Sequence, residues 1–119
     1  MLLAWSDPQL RRMCRTMSLP KRVEPKDVEC LKTLLNLVTE SENLQEVDRF
    51  AVAQVDLAAG DHRFVAAVSV GSVVLNSTAV TVKGSTIRPE KRTLSLISTN
   101  ALLVDDIAIH RLSIRRRTT

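Results

Sequence analysis

The stretch FAVAQVDLAAGDHRFVAAVSVGSVVLNSTAV, residues 50–80, decides the fold, because the spacing of the apolar residues changes there. Val, Ala, Ser and Thr replace the helix-forming residues that precede it, and apolar side chains recur at every second position, which is typical of β-strands. The pattern predicts strands at 51–57, 63–70 and 73–82, the last with a break near Ser77.

The residues before this stretch are predicted to form helices. Residues 6–8, Ser-Asp-Pro, are a helix start signal, because a capping side chain precedes a proline suited to the first turn. Helical spacing predicts helices over 8–17 and 26–40. The segment 41–47 is expected to form a turn followed by a short docking segment. The second helix has a wide apolar stripe, which indicates burial against a sheet. Its members are Val28, Leu31, Leu35 and Val38, widened by Cys30, Leu34 and Leu37.

After the quoted stretch, the pattern predicts two more strands, at 93–98 and 107–114. Helices followed by a run of strands predict an α+β fold, in which two N-terminal helices pack on a mostly antiparallel sheet of four to five strands. With 119 residues, the chain is expected to form a single domain. We assign the helical part to 6–47, the strand part to 50–114 and a basic tail to 115–119.

Composition narrows the classes of partner and site. The net charge of +4 favours a polyanionic partner, while one Trp, two Phe and no Tyr weigh against RNA readers that stack bases on aromatic side chains. Cys14 and Cys30 lack a CxxC spacing and an adjacent histidine, so we expect buried thiols, or a disulfide between two helices, and no metal or cofactor. No apolar run reaches the ~18 residues of a membrane span, and the start lacks a signal peptide's basic residues, so we expect a soluble cytoplasmic protein without membrane contact.

Three segments carry a family resemblance in their order and spacing. They are WSDPQLRRMC at 5–14, ECLKTLLNLVTESENLQEV at 29–47 and GDHRFVAAVSVGSVVL at 60–75. Together they resemble the HigB/RelE-type toxins of bacterial toxin–antitoxin loci, the plasmid-maintenance killer proteins. The resemblance implies a messenger-RNA endoribonuclease that acts at the ribosome, inhibits translation and growth, and is neutralised by an antitoxin. The sequence departs from the family where SVVLN (72–76) replaces an aromatic strand and SIRRR (113–117) replaces an ending with Tyr and His.

Metal-independent RNA cleavage needs groups that transfer protons and a cation that stabilises the phosphorane. Histidine changes charge near neutral pH, so His62, in a turn beside Asp61 and Arg63, is the candidate catalytic residue, with Arg63 holding the phosphate. The alternative is a solvent-exposed turn histidine. His110 lies within the apolar pattern of 107–114, and we expect a neutral core histidine there. Asp105 and Asp106 lack a third ligand for a metal ion.

The remaining basic residues are candidates for RNA binding, because the guanidinium group pairs with phosphate oxygens. One group lies at the end of the chain and the other around a loop; they are Arg111, Arg115, Arg116 and Arg117, and Lys83, Arg88, Lys91 and Arg92. The alternative for both groups is simple solvation. A second functional hypothesis is a non-enzymatic viral accessory or matrix-type protein that binds RNA or an oligomeric partner through a basic sheet face. A homo-oligomer is therefore among the expected partners, together with RNA, the ribosome and an antitoxin.

Overall fold

The structure is a computed structural model that describes residues 1–60 and 62–115, so Asp61 and the predicted tail residues Arg116 and Arg117 lie outside the described residues. The described part of the chain forms six strands and four helices. In chain order they are β1 (Leu2–Trp5), α1 (Pro8–Thr16), α2 (Pro25–Glu40), α3 (Leu44–Asp48), β2 (Ala53–Ala59), β3 (Phe64–Val70), β4 (Val73–Val80), α4 (Arg92–Ser98), β5 (Ala101–Ile109) and β6 (Leu112–Ser113).

The strands that the structure describes form one sheet in the order β1-β5-β4-β3-β2, with β6 paired to β5 beyond the end of β1. Every pairing is antiparallel except that of β1 with β5. The predicted α+β class with a mostly antiparallel sheet is therefore confirmed. The described sheet has six strands rather than four to five, because β1 and β6 are too short to show a period in the sequence.

Local signals place the first two helices close to their predicted bounds. Asp7 caps α1 by accepting a hydrogen bond from the Gln9 N–H at 2.9 Å, and Pro8 begins the helix. At α2 the side chains of Glu24 and Asp27 form a capping box, with Pro25 in the first turn. The N-terminal ends of both helices are therefore determined by residues that are close in sequence.

The predicted strand at 93–98 is wrong, since these residues belong to α4. Ser95 and Leu96 are buried while Leu94 and Ile97 are exposed, as expected for a short helix with one face toward the core. The Thr99 hydroxyl donates to the Ser95 carbonyl at 2.7 Å, a bond to the preceding turn that helical backbone permits. The alternation of apolar and polar residues is misleading here, because a run this short fits either period.

The last long strand also differs from its prediction. β5 spans Ala101–Ile109, whereas the pattern predicted a strand over 107–114 and a connection before it. A register shift explains the error, because Asn76 lies opposite Asp106 and Ser77 opposite Val104, which leaves Asp105 as an extra residue. Two consecutive acidic residues interrupt the alternation and hide the strand. The shift lies where the sequence predicted a break near Ser77.

All the described helices cover the same face of the sheet, which we call the helix face. They contribute to one aliphatic core with strand residues of that face, among them Val68, Leu75 and Ile107. Leu31, Leu34 and Val38 of α2 are fully buried in this core, so the predicted apolar stripe does cover the sheet. Cys14 and Cys30 are both free thiols, Cys14 buried and Cys30 partly buried.

Candidate binding surfaces

The candidate catalytic residue His62 is exposed in the turn between β2 and β3, next to Arg63. The structure gives this turn no described partner that would orient the imidazole, and Asp61 lies outside the described residues. Because Val65 pairs with Thr78, this turn is at the end of the sheet where β4 finishes. His62 and Arg63 are therefore far from the arginines that follow β5.

The expectation of a core histidine at His110 is wrong. His110 and Arg111 form the two-residue turn between β5 and β6, and the side chain of His110 is 57% exposed. Both residues have left-handed φ angles, 52° and 69°, which is the requirement of a type I′ hairpin turn and is unusual without glycine or asparagine. The strand pattern could not reveal this turn, because His and Arg are not residues typical of it.

His110 Nε2 lies 3.1 Å from Oδ1 of Asp27, whose side chain is only 1% exposed. The same oxygen accepts a hydrogen bond from the Ser72 hydroxyl at 2.6 Å, and the other oxygen accepts from the Glu24 N–H at 3.1 Å. The Ser72 hydrogen bond is the largest of the effects that hold the pKa of Asp27 below its ordinary value. Smaller contributions in the same direction come from Glu24 and His110, and burial opposes them.

This arrangement of Ser72, Asp27 and His110 is not a nucleophile with its base. A hydrolytic triad needs the histidine between the serine and the carboxylate. Here the Ser72 hydroxyl and the His110 imidazole both contact the carboxylate, and the hydrogen bond between these two residues joins their backbones, with the His110 N–H donating to the Ser72 carbonyl at 3.0 Å. The group instead joins the start of α2 to the β3–β4 and β5–β6 turns. The sequence contained one signal for it, a charged residue four positions before Leu31 on the apolar stripe.

The arginines near the chain end have different surroundings. Arg115 contacts Asp7 and Asp106, each at 3.4 Å, so two carboxylates surround its charge. Arg111 is exposed in the turn and lines a polar groove of about 580 Å³ with these residues. Arg115, which follows β6, thus contacts Asp7, which follows β1. Within the described residues, Arg111 is the one member of this predicted group that is exposed and forms no ion pair.

The second predicted basic group lies at the opposite end of the sheet. Lys83, Arg88 and Lys91 are exposed in the connection that follows β4, and Val80 at the end of β4 pairs with Ala101. Since Ala101 begins β5 and the Arg111 turn follows its end, the two groups are separated by the length of β5, roughly 25 Å. Arg92 donates to the Val55 carbonyl at 3.0 Å and pairs with Asp48 at 3.3 Å. The structure therefore separates the two predicted RNA-binding groups, but it places this second group at the end of the sheet where the turn with His62 and Arg63 lies.

The opposite face of the sheet, which we call the uncovered face, has no described helix on it. Along each strand the residues of this face alternate with core residues. The uncovered face includes Gln54, Asp56, Ala58, Val65, Ala67, Ser69, Val74, Asn76, Thr78, Leu103, Asp105, Asp106 and Ala108. The extra residue in β5 places both consecutive aspartates here, since Asp105 accepts from the Thr78 hydroxyl at 2.8 Å and Asp106 from Ser113 at 2.7 Å. The uncovered face therefore carries three carboxylates, and Arg111 and Arg115 line a groove with its residues Asp106 and Ala108, so acidic and basic side chains share this face.

A hollow of about 260 Å³ lies on the uncovered face. Small and apolar side chains line it, among them Ala58, Val65 and Ala67, and Asp56 and Asp105 lie at its sides. Neither aspartate forms an ion pair with any residue of 1–60 or 62–115, whereas Asp106 is paired with Arg115. The sequence does not reveal this hollow, because its residues come from four different strands.

Comparison with known proteins finds no matching family model, no matching curated protein and no matching solved structure. Over the part of the chain that the structure describes, no helix is both long and apolar enough to cross a membrane. Within the same residues, His, Cys, Asp and Glu side chains form no group of three that could hold a metal ion.

Proposed function

We propose that this chain is a non-enzymatic interaction protein that binds a Lys or Arg side chain of a partner protein on its uncovered face. The observation that supports the proposal most directly is the apolar hollow beside Asp56 and Asp105, two carboxylates that form no ion pair with any of the described residues. The aliphatic stem of a long basic side chain would fill the hollow, and its charged end would lie near the aspartates.

The charges around the hollow favour a basic side chain over RNA. Phosphates placed on the uncovered face would meet Asp56 and Asp105, and like charges at close distance repel. A homo-oligomer stays a prediction.

The endoribonuclease hypothesis also stays a prediction, together with its antitoxin and ribosome partners. The geometry supports it in part, because the candidate His62 and Arg63 lie at the end of the sheet where Lys83, Arg88, Lys91 and Arg92 follow β4, while Arg111 and Arg115 lie at the opposite end. Incubating the purified protein with ribosomes and messenger RNA tests it directly. Cleavage that is lost in His62→Gln would replace the binding proposal with the enzymatic one.

The binding proposal is tested with acetyl-arginine amide, compared with acetyl-norleucine amide, which has an apolar chain without the charge, and with a single-stranded RNA oligonucleotide. Binding is measured by NMR titration of the backbone amides. We expect the arginine derivative to shift amides around Asp56, Ala67 and Asp105, and to bind more weakly as salt is raised.

Two substitutions separate the hollow from general charge effects. Ala67→Leu adds a side chain that fills the hollow and should lower the affinity by at least about tenfold, since the stem of the ligand would lose its contacts. Ala108→Leu makes the same change elsewhere on the face and should leave the affinity unchanged. Asp56→Asn should weaken binding roughly two- to fivefold. Equal binding of all ligands, or equal affinity of both leucine variants, would contradict the proposal.

A further inference from the structure

Among the strands of residues 1–60 and 62–115, β2 forms one edge of the sheet, since it pairs there with β3 alone. An edge strand presents every second residue's N–H and C=O groups outward, and these groups can pair with an added chain. Which residues of β2 point outward is determined by the hairpin that joins β2 to β3. The Gly60 N–H donates to the Arg63 carbonyl at 2.7 Å, which makes this pair hydrogen-bonded.

Counting back from Gly60, the residues bonded to β3 are Ala58, Asp56 and Gln54. The backbone groups of Val55, Leu57 and Ala59 therefore face outward. Two independent contacts agree with this assignment. Arg92 donates to the Val55 carbonyl at 3.0 Å, and the Ala53 N–H donates outward to the Phe50 carbonyl at 3.1 Å.

A cleft of about 300 Å³, which we call the edge cleft, adjoins this edge. The β2–β3 side contributes Leu57, Ala59 and Phe64. The opposite side is formed by Pro89 and Glu90, which precede α4, and by Arg92 at its start. The outward carbonyl of Val55 already accepts a hydrogen bond from Arg92, so an added strand could not pair with it and the cleft ends there. No described residue of the chain hydrogen-bonds to the outward N–H or C=O of Leu57. The cleft is small for a cofactor but suits a short stretch of chain with an apolar side chain.

We propose that the edge cleft binds an extended peptide of a partner protein as an added strand along Leu57 and Ala59. The peptide backbone pairs with the outward groups of these two residues, and an apolar side chain of the peptide lies in the cleft against Leu57, Phe64 and Pro89. The inference rests on the β2 backbone and stands whether or not the uncovered face binds a basic side chain.

The test uses the uncharged peptide acetyl-Thr-Val-Thr-Val-Thr-amide, which has β-forming residues and cannot act through Asp56 or Asp105. Amide hydrogen exchange is followed by NMR without and with the peptide at millimolar concentration. We expect exchange at Leu57 and Ala59 to slow by at least about tenfold on saturation. The amides of Asp56 and Ala58, which bond to β3, serve as internal controls and should change little.

Two modified reagents make the test specific to strand addition. In an extended peptide every second amide N–H faces β2. One test peptide is N-methylated at its valines and another at its threonines, so only one of them loses the N–H groups that face β2. That peptide should not bind, while the other should bind. On the protein, Ala59→Pro removes an outward N–H, which an edge strand tolerates, and should prevent binding while the fold is kept. Arginine-derivative binding in the hollow should be unaffected by this variant. Unchanged exchange at Leu57 and Ala59, or equal binding of both methylated peptides, would overturn the proposal.

Discussion

The imidazole of His110 and the carboxylate of Asp27 meet at 3.1 Å, although 83 residues separate them in the sequence. Asp27 is at the start of α2 and His110 is in the β5–β6 turn, so the contact joins the N-terminal helical part to the C-terminal hairpin. The left-handed backbone at His110 and Arg111 costs conformational energy, and the Asp27 contact helps to hold the turn in that form.

Acid should destabilise the protein through Asp27. Its pKa is lower in the folded chain than the ordinary 3.8, first because of the Ser72 hydrogen bond. A carboxyl group with a lowered pKa contributes stability above the unfolded value, and this contribution is lost as the pH falls through the folded value. Urea unfolding of the wild type should therefore show stability falling below about pH 4.

Variants identify the group responsible for that acid response. Asp27→Asn should remove its part of the pH dependence, and Ser72→Ala should move the loss to higher pH because the largest cause of the lowered pKa is gone. Asp56→Asn, a change at an exposed carboxyl, is the control and should keep the wild-type profile. An unaltered acid profile in Asp27→Asn would show that other carboxyl groups dominate.

Leu31→Ala should lower the free energy of unfolding by about 2–5 kcal/mol, because Leu31 is 0% exposed and its removal leaves a cavity between α2 and the sheet. Leu94→Ala is the matched control. Leu94 is 50% exposed on α4, so the change should stay within about 0.5 kcal/mol. Chemical denaturation measures both values. Similar losses for the two variants would mean that α2 does not pack as described.

The two thiols should react at different rates with iodoacetamide in the native protein. Burial raises the pKa of Cys14 to about 12, so almost no reactive thiolate forms at neutral pH. Cys30 is partly exposed and should be alkylated first, as mass spectrometry of the labelled peptides would show. In denaturant the rates should become equal. Faster native labelling of Cys14 would contradict its position in the core.

Gly71→Ala should destabilise the protein through two separable causes. Gly71 has a φ of 57°, which disfavours a side chain by roughly 1–2 kcal/mol, and an added Cβ would lie 2.8 Å from the Cys30 sulfur. In a Cys30→Ala background the sulfur is absent, so the same glycine change should cost less. Unfolding free energies of the four proteins in this double-mutant cycle give the difference. If Gly71→Ala lowers the free energy of unfolding equally in both backgrounds, the loss comes from the left-handed backbone and not from contact with the Cys30 sulfur.

Much of the fold follows from local sequence. The Asp7 cap and the prolines at the starts of α1 and α2 act over a few residues, so the starts of these two helices were predictable. The alternation in β2, β3 and β4 also predicts their bounds closely, because one side of each strand is buried. These features depend on neighbours in the chain, and the sequence shows them directly.

Tertiary structure alone decided the rest. The segment of α4 has a strand-like pattern, but it forms a helix that packs against the core. The full length of β5 depends on its pairing with β4, in which Asp105 is an extra residue. The surfaces depend on the same long-range pairing. Pairing of strands distant in sequence joins Asp56 and Asp105 across the hollow and separates Arg63 from Arg115. The sequence by itself determined the fold class and the helix starts, while strand order, which links residues far apart, determined which charges meet.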